Sequence, residues 1–179
     1  MKLIQIAAFL IETVFGFFVF LVLLRFLLQS LRAPFHNPIG QFTIALTDWI
    51  VRPLRGIIPP FRRQDLASLV AAWLLILVKI LLLMLLLGMP ILIGNLLMLS
   101  GIDLLRDMLR LIMLVVIVQI VVSWINPQNP LSFVLNALTR PFYRLFRFVP
   151  PVGQFDLSPL FVLLAINILL ILLPDFRGL

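Results

Sequence analysis

Two ionisable side chains, Glu12 and Lys79, lie inside long apolar runs and are the first candidates for chemistry in this sequence. A charged group within a membrane-spanning segment is costly, so it is a functional hypothesis by default. Three interpretations stay open: a static Glu12–Lys79 ion pair, a proton or cation relay, and a lysine that extends its ammonium to the lipid surface. We favour the static pair because mutual neutralisation lowers the cost of burial.

Other polar positions give no support to catalysis. Gln119 and Asn167 also lie in apolar runs, where amides commonly join packed helices at about 1 kcal/mol each. His36 is the only histidine and stands beside Asn37-Pro38, so we interpret it as a turn residue. There is no cysteine, glycine-rich phosphate loop or paired acidic metal motif. The sequence predicts no enzyme, no catalytic or metal site and no cofactor.

The composition indicates where such residues must sit. Hydrophobic residues make up 63% of the 179-residue chain and charged residues 12%, which leaves too little polar surface for a water-soluble particle. The formal net charge of +7 comes from arginines dispersed beside apolar segments. That distribution favours anionic lipid as a partner, and not nucleic acid. The chain is therefore predicted to be an all-α integral membrane protein.

The lengths of the apolar runs predict four membrane-spanning helices. A hydrocarbon core of ~30 Å takes about 20 helical residues at ~1.5 Å each. Asp103 is expected to cap the third span, and the apolar segment 89–101, too short to cross, is expected to form an interfacial or re-entrant hairpin. The predicted spans are residues 3–28, 66–87, 104–125 and 157–173.

A diverged copy of the segment between the first two spans occurs between the last two spans. The two copies agree at turn and charge positions, which predicts tandem repeats at residues 1–100 and 101–179, each ordered span, interfacial helix, span. Asn-Pro marks the turn into each interfacial helix and Pro-Pro stops it. At one constant offset Asn37, Pro38, Arg52 and Arg55 match Asn129, Pro130, Arg144 and Arg147, and after a slip of one residue Pro59 and Pro60 match Pro150 and Pro151.

The two linkers are predicted to hold amphipathic helices at residues 40–56 and 131–148. At about 100° per residue, apolar residues such as Phe42 and Trp49 gather on one side and arginines on the other. Such helices lie in the headgroup plane with the apolar side down and the arginines near lipid phosphates. The predicted lipid-facing or partner-facing basic residues are Arg52, Arg55, Arg144 and Arg147.

Arginine is concentrated on the linker side of the predicted spans. The side opposite carries only Lys2, Arg106, Arg110 and Arg177. The positive-inside rule then places both linkers in the cytoplasm and both termini in the periplasm, for a multi-pass protein of a bacterial inner membrane. Arg25, one turn from the linker end of its span, is expected to extend to lipid phosphate.

The same segments resemble a known family. "NP", "LT", "RPLRGIIPP" and "DLASLV" in the first half, with "SWI", "NP", "LTRPFYRLFRFVPP" and "FDLSPL" in the second, are similar to the YggT family of small bacterial and plastid membrane proteins, built from two copies of a transmembrane domain. The resemblance covers nearly the whole chain. It implies links to osmotic or ion homeostasis, to cell-division gene neighbourhoods and, in plastids, to cytochrome assembly and haem attachment, without a common reaction.

Two classes of function follow from these observations. The first is a non-enzymatic scaffold or assembly factor that binds anionic lipid and other membrane proteins or a second copy of itself. The second is a small oligomeric channel or transporter whose lining would be Glu12, Lys79, Gln119 and Asn167. We favour the scaffold because polar positions are few and four helices enclose little room.

Overall fold

The computed structural model describes residues 2–33, 37–58, 65–126, 128–146 and 157–174, and all regular structure within them is helical. This agrees with the predicted all-α class. The order of a long apolar helix, an amphipathic helix and a second apolar helix occurs twice. The helices are α1 (Lys2–Ser30), α2 (Pro38–Ile57), α3 (Leu66–Leu87), α4 (Ile93–Ile125), α5 (Pro130–Leu145) and α6 (Ser158–Leu172). The predicted positions outside the described residues are His36, Pro59, Pro60, Arg147, Pro150, Pro151 and Arg177.

Three of the described helices, α1, α3 and α4, are long and apolar enough to cross a membrane. The fourth apolar helix, α6, has 15 residues and a length of about 22 Å at ~1.5 Å per residue, shorter than a ~30 Å hydrocarbon core. Its ends agree with the predicted span 157–173 to within one residue. By length and composition the described helices thus support three spans.

The expected helix start at Asp103 does not occur. Helix α4 runs without a break for 33 residues, so the prediction of a separate hairpin at 89–101 was wrong, and Asp103 lies in the helix interior. The chain turns earlier, at Gly88, whose φ of 65° is left-handed backbone that favours glycine. Pro90 follows and cannot continue a helix.

Packing against α3 explains why α4 begins so early. Trp73 of α3 donates its indole N–H to the hydroxyl of Ser100, 3.0 Å away in the first third of α4. Glycine inside a helix costs only about 1 kcal/mol relative to alanine, so Gly94 and Gly101 do not end the helix. The apolar run before Asp103 therefore continues the third long helix.

The apolar core lies between α1, α3 and α4, with further side chains from α2, α5 and α6, and it uses the half of α1 that α2 covers. The other half of α1 is exposed, from Leu3 to Phe17 on its outer side. Four helices contribute side chains without measurable exposure: Val22, Leu23, Leu28, Val51, Ala71, Ala72, Ile76 and Val116.

The two amphipathic helices use different faces against the bundle. Helix α2 buries a stripe of mostly small residues, Gly40, Thr43, Thr47 and Val51, and leaves Phe42 and Trp49 exposed as predicted for a lipid-facing side. Helix α5 instead buries much of its apolar side against the bundle. The buried residues of α5 are Ser132, Val134, Leu135, Leu138 and Thr139. For α5 the expectation that the apolar side faces lipid is therefore wrong for the buried part.

Candidate functional site

Six charged side chains lie close together along the middle of α1, α3 and α4, and we call them the charged cluster. Four of them, on α4, follow helical spacing and share one face of that helix. Two cavities are lined both by these α4 residues and by residues of α1 and α3. The charged cluster comprises Glu12 of α1, Lys79 of α3, and Asp103, Arg106, Asp107 and Arg110 of α4.

Lys79 is the buried centre of the charged cluster, with 5% of its surface exposed. Its ammonium lies 3.3 Å from an Asp103 carboxylate oxygen and 4.0 Å from one of Asp107. The expected ion pair with Glu12 was therefore wrong. Asp103 was expected to cap the predicted span 104–125 and Asp107 to lie in its first turn; because α4 begins at Ile93, both carboxylates lie in the helix interior at the level of Lys79.

The two arginines of α4 hold those carboxylates from the other side. Arg106 is buried, and its guanidinium lies 3.0 Å from Asp103 and also donates to the carbonyl oxygen of Pro174 beyond α6. Arg110 lies 3.6 Å from Asp107. Both arginines were expected to flank the spans on the side opposite the linkers. The predicted span 104–125 placed them in its first two turns, whereas the structure places them in the middle of α4, which begins at Ile93.

Helical rise gives the depth of the charged cluster. Gln119 contacts α5 and thus marks the level of that amphipathic helix on α4. At ~1.5 Å per residue, Arg110 lies about 14 Å and Asp103 about 24 Å from that level. On α1, Glu12 lies about 20 Å from Arg25, which contacts α2. All six charges thus occupy the apolar middle of the long helices.

Glu12 differs from the other members of the charged cluster. It is exposed on the side of α1, and it has no hydrogen bond or ion pair with any residue that the structure describes. It lines two open cavities of about 290 and 220 Å³ that it shares with Lys79. With Glu12 ionised, three carboxylates balance three cations in the charged cluster.

The spacing of the charged residues of α4 is itself a signal for this site. Asp103, Arg106, Asp107 and Arg110 are spaced so that they fall on one helix face. That pattern predicts a polar stripe in the middle of the helix if the helix begins well before residue 103, and charges confined to its first two turns if it begins at residue 104. The wrong helix start therefore concealed the site. Among the described residues, no group of three potential metal ligands of the His, Cys, Asp or Glu type occurs.

A second buried arginine, Arg25, fastens α2 onto α1. Its guanidinium donates to the Thr47 hydroxyl and to the Asp48 carboxylate, each at 2.9 Å. The side chain of Arg25 is almost fully buried, whereas that of Asp48 is partly exposed. The expectation that Arg25 extends to lipid phosphate was wrong, because α2 lies over it and offers a closer anionic partner.

Arg55 of α2 connects the end of that helix to the start of α3. Its guanidinium contacts the carboxylate of Asp65, with Nε 3.3 Å from Oδ1, and also donates to Gln29 of α1. Ser68 donates its hydroxyl to the same carboxylate at 2.6 Å. Burial would raise the pKa of Asp65, but the hydrogen bonds from Arg55 and Ser68 and the charge of Arg55 outweigh it and hold that pKa below its usual range.

Asp65→Asn is expected to lower the free energy of unfolding by about 1 to 2 kcal/mol near neutral pH, since Arg55 is partly exposed. A carboxyl whose pKa is lowered by folding stabilises the fold above its unfolded pKa and loses that effect as pH falls through the folded pKa. The difference between the variant and the unchanged protein should therefore shrink as pH falls below the ordinary value of 3.8. Thermal unfolding in detergent across this pH range measures it. Arg55→Gln should weaken the same pH dependence, and a difference that persists undiminished in acid would contradict the assignment.

The remaining predicted polar residues make helix contacts. Gln119 donates to Asn136 at 2.8 Å and accepts from the Tyr143 hydroxyl at 2.6 Å, so it joins α4 to α5. Asn167 donates to the Leu163 carbonyl of its own helix, with the Met113 sulfur 3.9 Å away. Neither residue lies in the charged cluster.

The turn motifs before the amphipathic helices act as helix caps. The side chain of Asn37 accepts from the Gly40 N–H, and that of Asn129 accepts from the Leu131 N–H, each at 2.9 Å. Pro38 and Pro130 follow as the first helical residues, where proline needs no N–H partner. Arg52 and Arg144 are exposed on α2 and α5.

The chain is similar to proteins found in several bacteria. The family model CCB3/YggT matches residues 4–86 and 98–176, which is consistent with two tandem repeats. An uncharacterized protein of Pseudomonas aeruginosa is 37% identical over 168 residues, covering 91% of this chain and 85% of that protein. The uncharacterized protein YggT of Escherichia coli K12 is 33% identical over 166 residues, covering 90% and 85%.

A third relative extends over nearly the full length of both chains. It is a Vibrio alginolyticus protein described as an uncharacterized protein in the proC 3' region, 31% identical over 175 residues, covering 96% of this chain and 95% of that protein. No solved structure matches the chain significantly. The family model and these relatives cover most of the sequence, and the chain therefore belongs to the CCB3/YggT family.

Proposed function

We propose that this protein is a non-enzymatic membrane scaffold or assembly factor that receives a membrane-spanning segment of another protein, or of a second copy, against the face of α1 that carries Glu12. The observation that carries the proposal is the position of Glu12. It lies at the depth of the charged cluster, on an exposed helix face, without a partner among the described residues.

The paired members of the charged cluster support a structural role for the interior charges. Lys79, Arg106 and Arg110 each have a carboxylate within 4.0 Å; the Lys79 pair joins α3 to α4, and the two arginine pairs lie within α4. Only Glu12 is left to interact outside the bundle. A carboxylate that faces hydrocarbon is costly, and a partner helix that offers a cation or a hydrogen-bond donor removes much of that cost.

The surroundings of Glu12 suit a helix. Gln5 and Phe9 are exposed on the face of α1 that carries Glu12, two turns and one turn before it, whereas Leu3, Leu10 and Val14 are exposed on the opposite face. A second apolar helix that packs against this face of α1 buries apolar surface area, and its polar contact with Glu12 fixes the depth and rotation of that helix. Anionic lipid is proposed as the other partner, near the exposed Arg52 and Arg144.

We further propose four crossings with α2 and α5 on the cytoplasmic surface of a bacterial inner membrane. The positive-inside rule counts charges in loops. Arg106 and Arg110 lie within α4, so they no longer count as loop charges on the side opposite the linkers, and this supports the orientation. The short α6 would cross with neighbouring residues that lie outside the described part of the chain.

A small oligomeric channel or transporter is the alternative, and one observation favours it. Glu12 and Lys79 line the same cavities, as expected for a proton or cation relay. Against this, the helices between those cavities and α2 are tightly packed, with Leu23, Ile76 and Val116 fully or almost fully buried. The arrangement therefore favours the scaffold.

Site-specific photo-crosslinking in the native membrane tests the proposed partner face. A benzophenone amino acid in place of Phe9, one turn before Glu12 on α1, should crosslink a membrane protein or a second copy, and the yield should fall about tenfold with Glu12→Gln, equivalent to ~1.4 kcal/mol. The control is the same photoprobe at Leu164, which is also exposed, on α6. Equal yields with and without Glu12 would overturn the proposal.

The alternative has its own measurement. If the chain conducts protons or cations, reconstituted vesicles should show flux that Glu12→Gln abolishes. A scaffold should show no flux above empty vesicles with either protein. The two experiments together distinguish loss of a partner contact from loss of transport.

A further inference from the structure

A small polar cavity lies between α4 and α5, away from the charged cluster. Its volume is about 100 Å³, room for about three water molecules of ~30 Å³ or one small polar group. Four polar residues line the cavity: Gln119, Ser123, Ser132 and Asn136. Two apolar side chains, Val122 and Leu135, complete the lining.

Ser132 is the unexplained residue of this cavity. It has 9% of its surface exposed, and its hydroxyl is buried without a hydrogen-bond partner among the described residues. Buried polar groups in proteins nearly always have a partner, so an unpaired one that lines a cavity points to a missing ligand.

The hydrogen bonds around the cavity define the chemistry of that ligand. The amide oxygen of Asn136 accepts from Gln119, and the amide oxygen of Gln119 accepts from the Tyr143 hydroxyl. These acceptors are thus engaged, whereas the Asn136 amide N–H groups and the Ser132 hydroxyl remain as donors. No carboxylate lines the cavity, and the exposed Arg140 follows Asn136 by one turn of α5. A surplus of donors beside a cation suits an anionic, acceptor-rich group.

Comparison of the two halves indicates that the fold itself does not require this polar lining. At the offset that aligns the linkers, Ser132 and Asn136 of α5 correspond to Gly40 and Ile44 of α2. Helix α2 packs on α1 with Gly40 buried and with no polar side chain at either position. The polar side chains of the second half are therefore an addition to a helix contact that forms without them.

We propose that this cavity binds a phosphate oxyanion, with the Ser132 hydroxyl and the Asn136 amide as donors. A phospholipid headgroup and free inorganic phosphate share this chemistry. The lipid source rests on the proposal above that α5 lies at the membrane surface. Binding at the cavity is independent of Glu12 and its partner face.

Native mass spectrometry of the full-length chain in neutral detergent tests the proposal with dioleoylphosphatidylglycerol as the probe. We expect one phosphatidylglycerol per chain to bind saturably, and diacylglycerol, which lacks phosphate, to bind at least tenfold more weakly. Ser132→Gly with Asn136→Ile, the residues of the first half, should weaken phosphatidylglycerol binding about tenfold. Ser132→Ala removes only the hydroxyl and should show a smaller loss, which keeps the test valid if the double variant fails to fold.

Two matched controls isolate the cavity from general lipid attraction. Ser30→Ala removes another buried, unpaired serine hydroxyl outside the cavity and should leave binding unchanged. Glu12→Gln should also leave it unchanged, so that failure of the partner proposal and failure of this one are distinguishable. Competition by inorganic phosphate would identify the free ion as a ligand, and its absence a headgroup. Binding that ignores the Ser132 and Asn136 substitutions, or equal binding of diacylglycerol, would overturn the inference.

Discussion

Lys79→Met should lower the free energy of unfolding by about 3 kcal/mol, the scale for removing one partner of a buried ion pair. Lys79 is almost completely buried and lies between two carboxylates of α4. Its loss leaves the charged cluster with an excess negative charge in an apolar environment. At about 2 to 4 °C per kcal/mol for a chain of this size, the midpoint of thermal unfolding in detergent should fall by about 6 to 12 °C.

A double variant makes this prediction specific to charge. Adding Glu12→Gln restores the balance of carboxylates and cations, so the pair of substitutions should cost about 1 kcal/mol less than the sum of the single ones. Lys2→Met is the matched control, because Lys2 is exposed at the start of α1 and should shift the midpoint little. Strictly additive costs would show that Glu12 is not coupled to the charged cluster.

Arg25→Met should detach α2 from α1. Arg25 is buried beneath α2 and makes two hydrogen bonds across this interface, to Thr47 and Asp48, in addition to the one from Arg55 to Gln29. Breaking them leaves the Thr47 hydroxyl without its charged donor and returns Asp48 to solvent. With a net cost of about 1.5 kcal/mol, opening of the interface should become about tenfold more frequent.

Thiol labelling can follow that opening because the chain contains no cysteine. Thr43 is fully buried in the stripe that α2 turns toward α1, so Thr43→Cys supplies a single protected thiol. Its labelling rate in detergent should rise about tenfold with Arg25→Met. A cysteine at Phe42, exposed on the same helix, should label quickly in both backgrounds. An unchanged rate at position 43 would mean that apolar packing alone holds α2 in place.

Local sequence signals predicted several elements well. The bounds of α3 are those predicted, 66–87, because Gly88 and Pro90 end the helix and its apolar run is uninterrupted. The amphipathic helices begin at or within two residues of their predicted starts because Asn-Pro caps each one. These features depend on residues near each other in the chain.

The side-chain contacts between helices could not be predicted from such local sequence signals. Lys79 and Asp103 belong to different helices, and whether they meet depends on where α4 begins and how it is rotated against α3. The burial of Arg25 likewise depends on α2 folding back over α1. The long helices α1, α3 and α4 are apolar on nearly all sides, so hydrophobic periodicity gives only weak information on which of their faces is turned inward.

The sequence by itself determined the membrane class, the helical content and the duplicated order of elements, because composition and short-range periodicity are sufficient for these. Only the tertiary structure decided which charges pair, that Glu12 is left facing outward, and that Ser132 lines a cavity between α4 and α5. Those outcomes depend on the relative depth and rotation of packed helices, which residue spacing within any one helix does not specify.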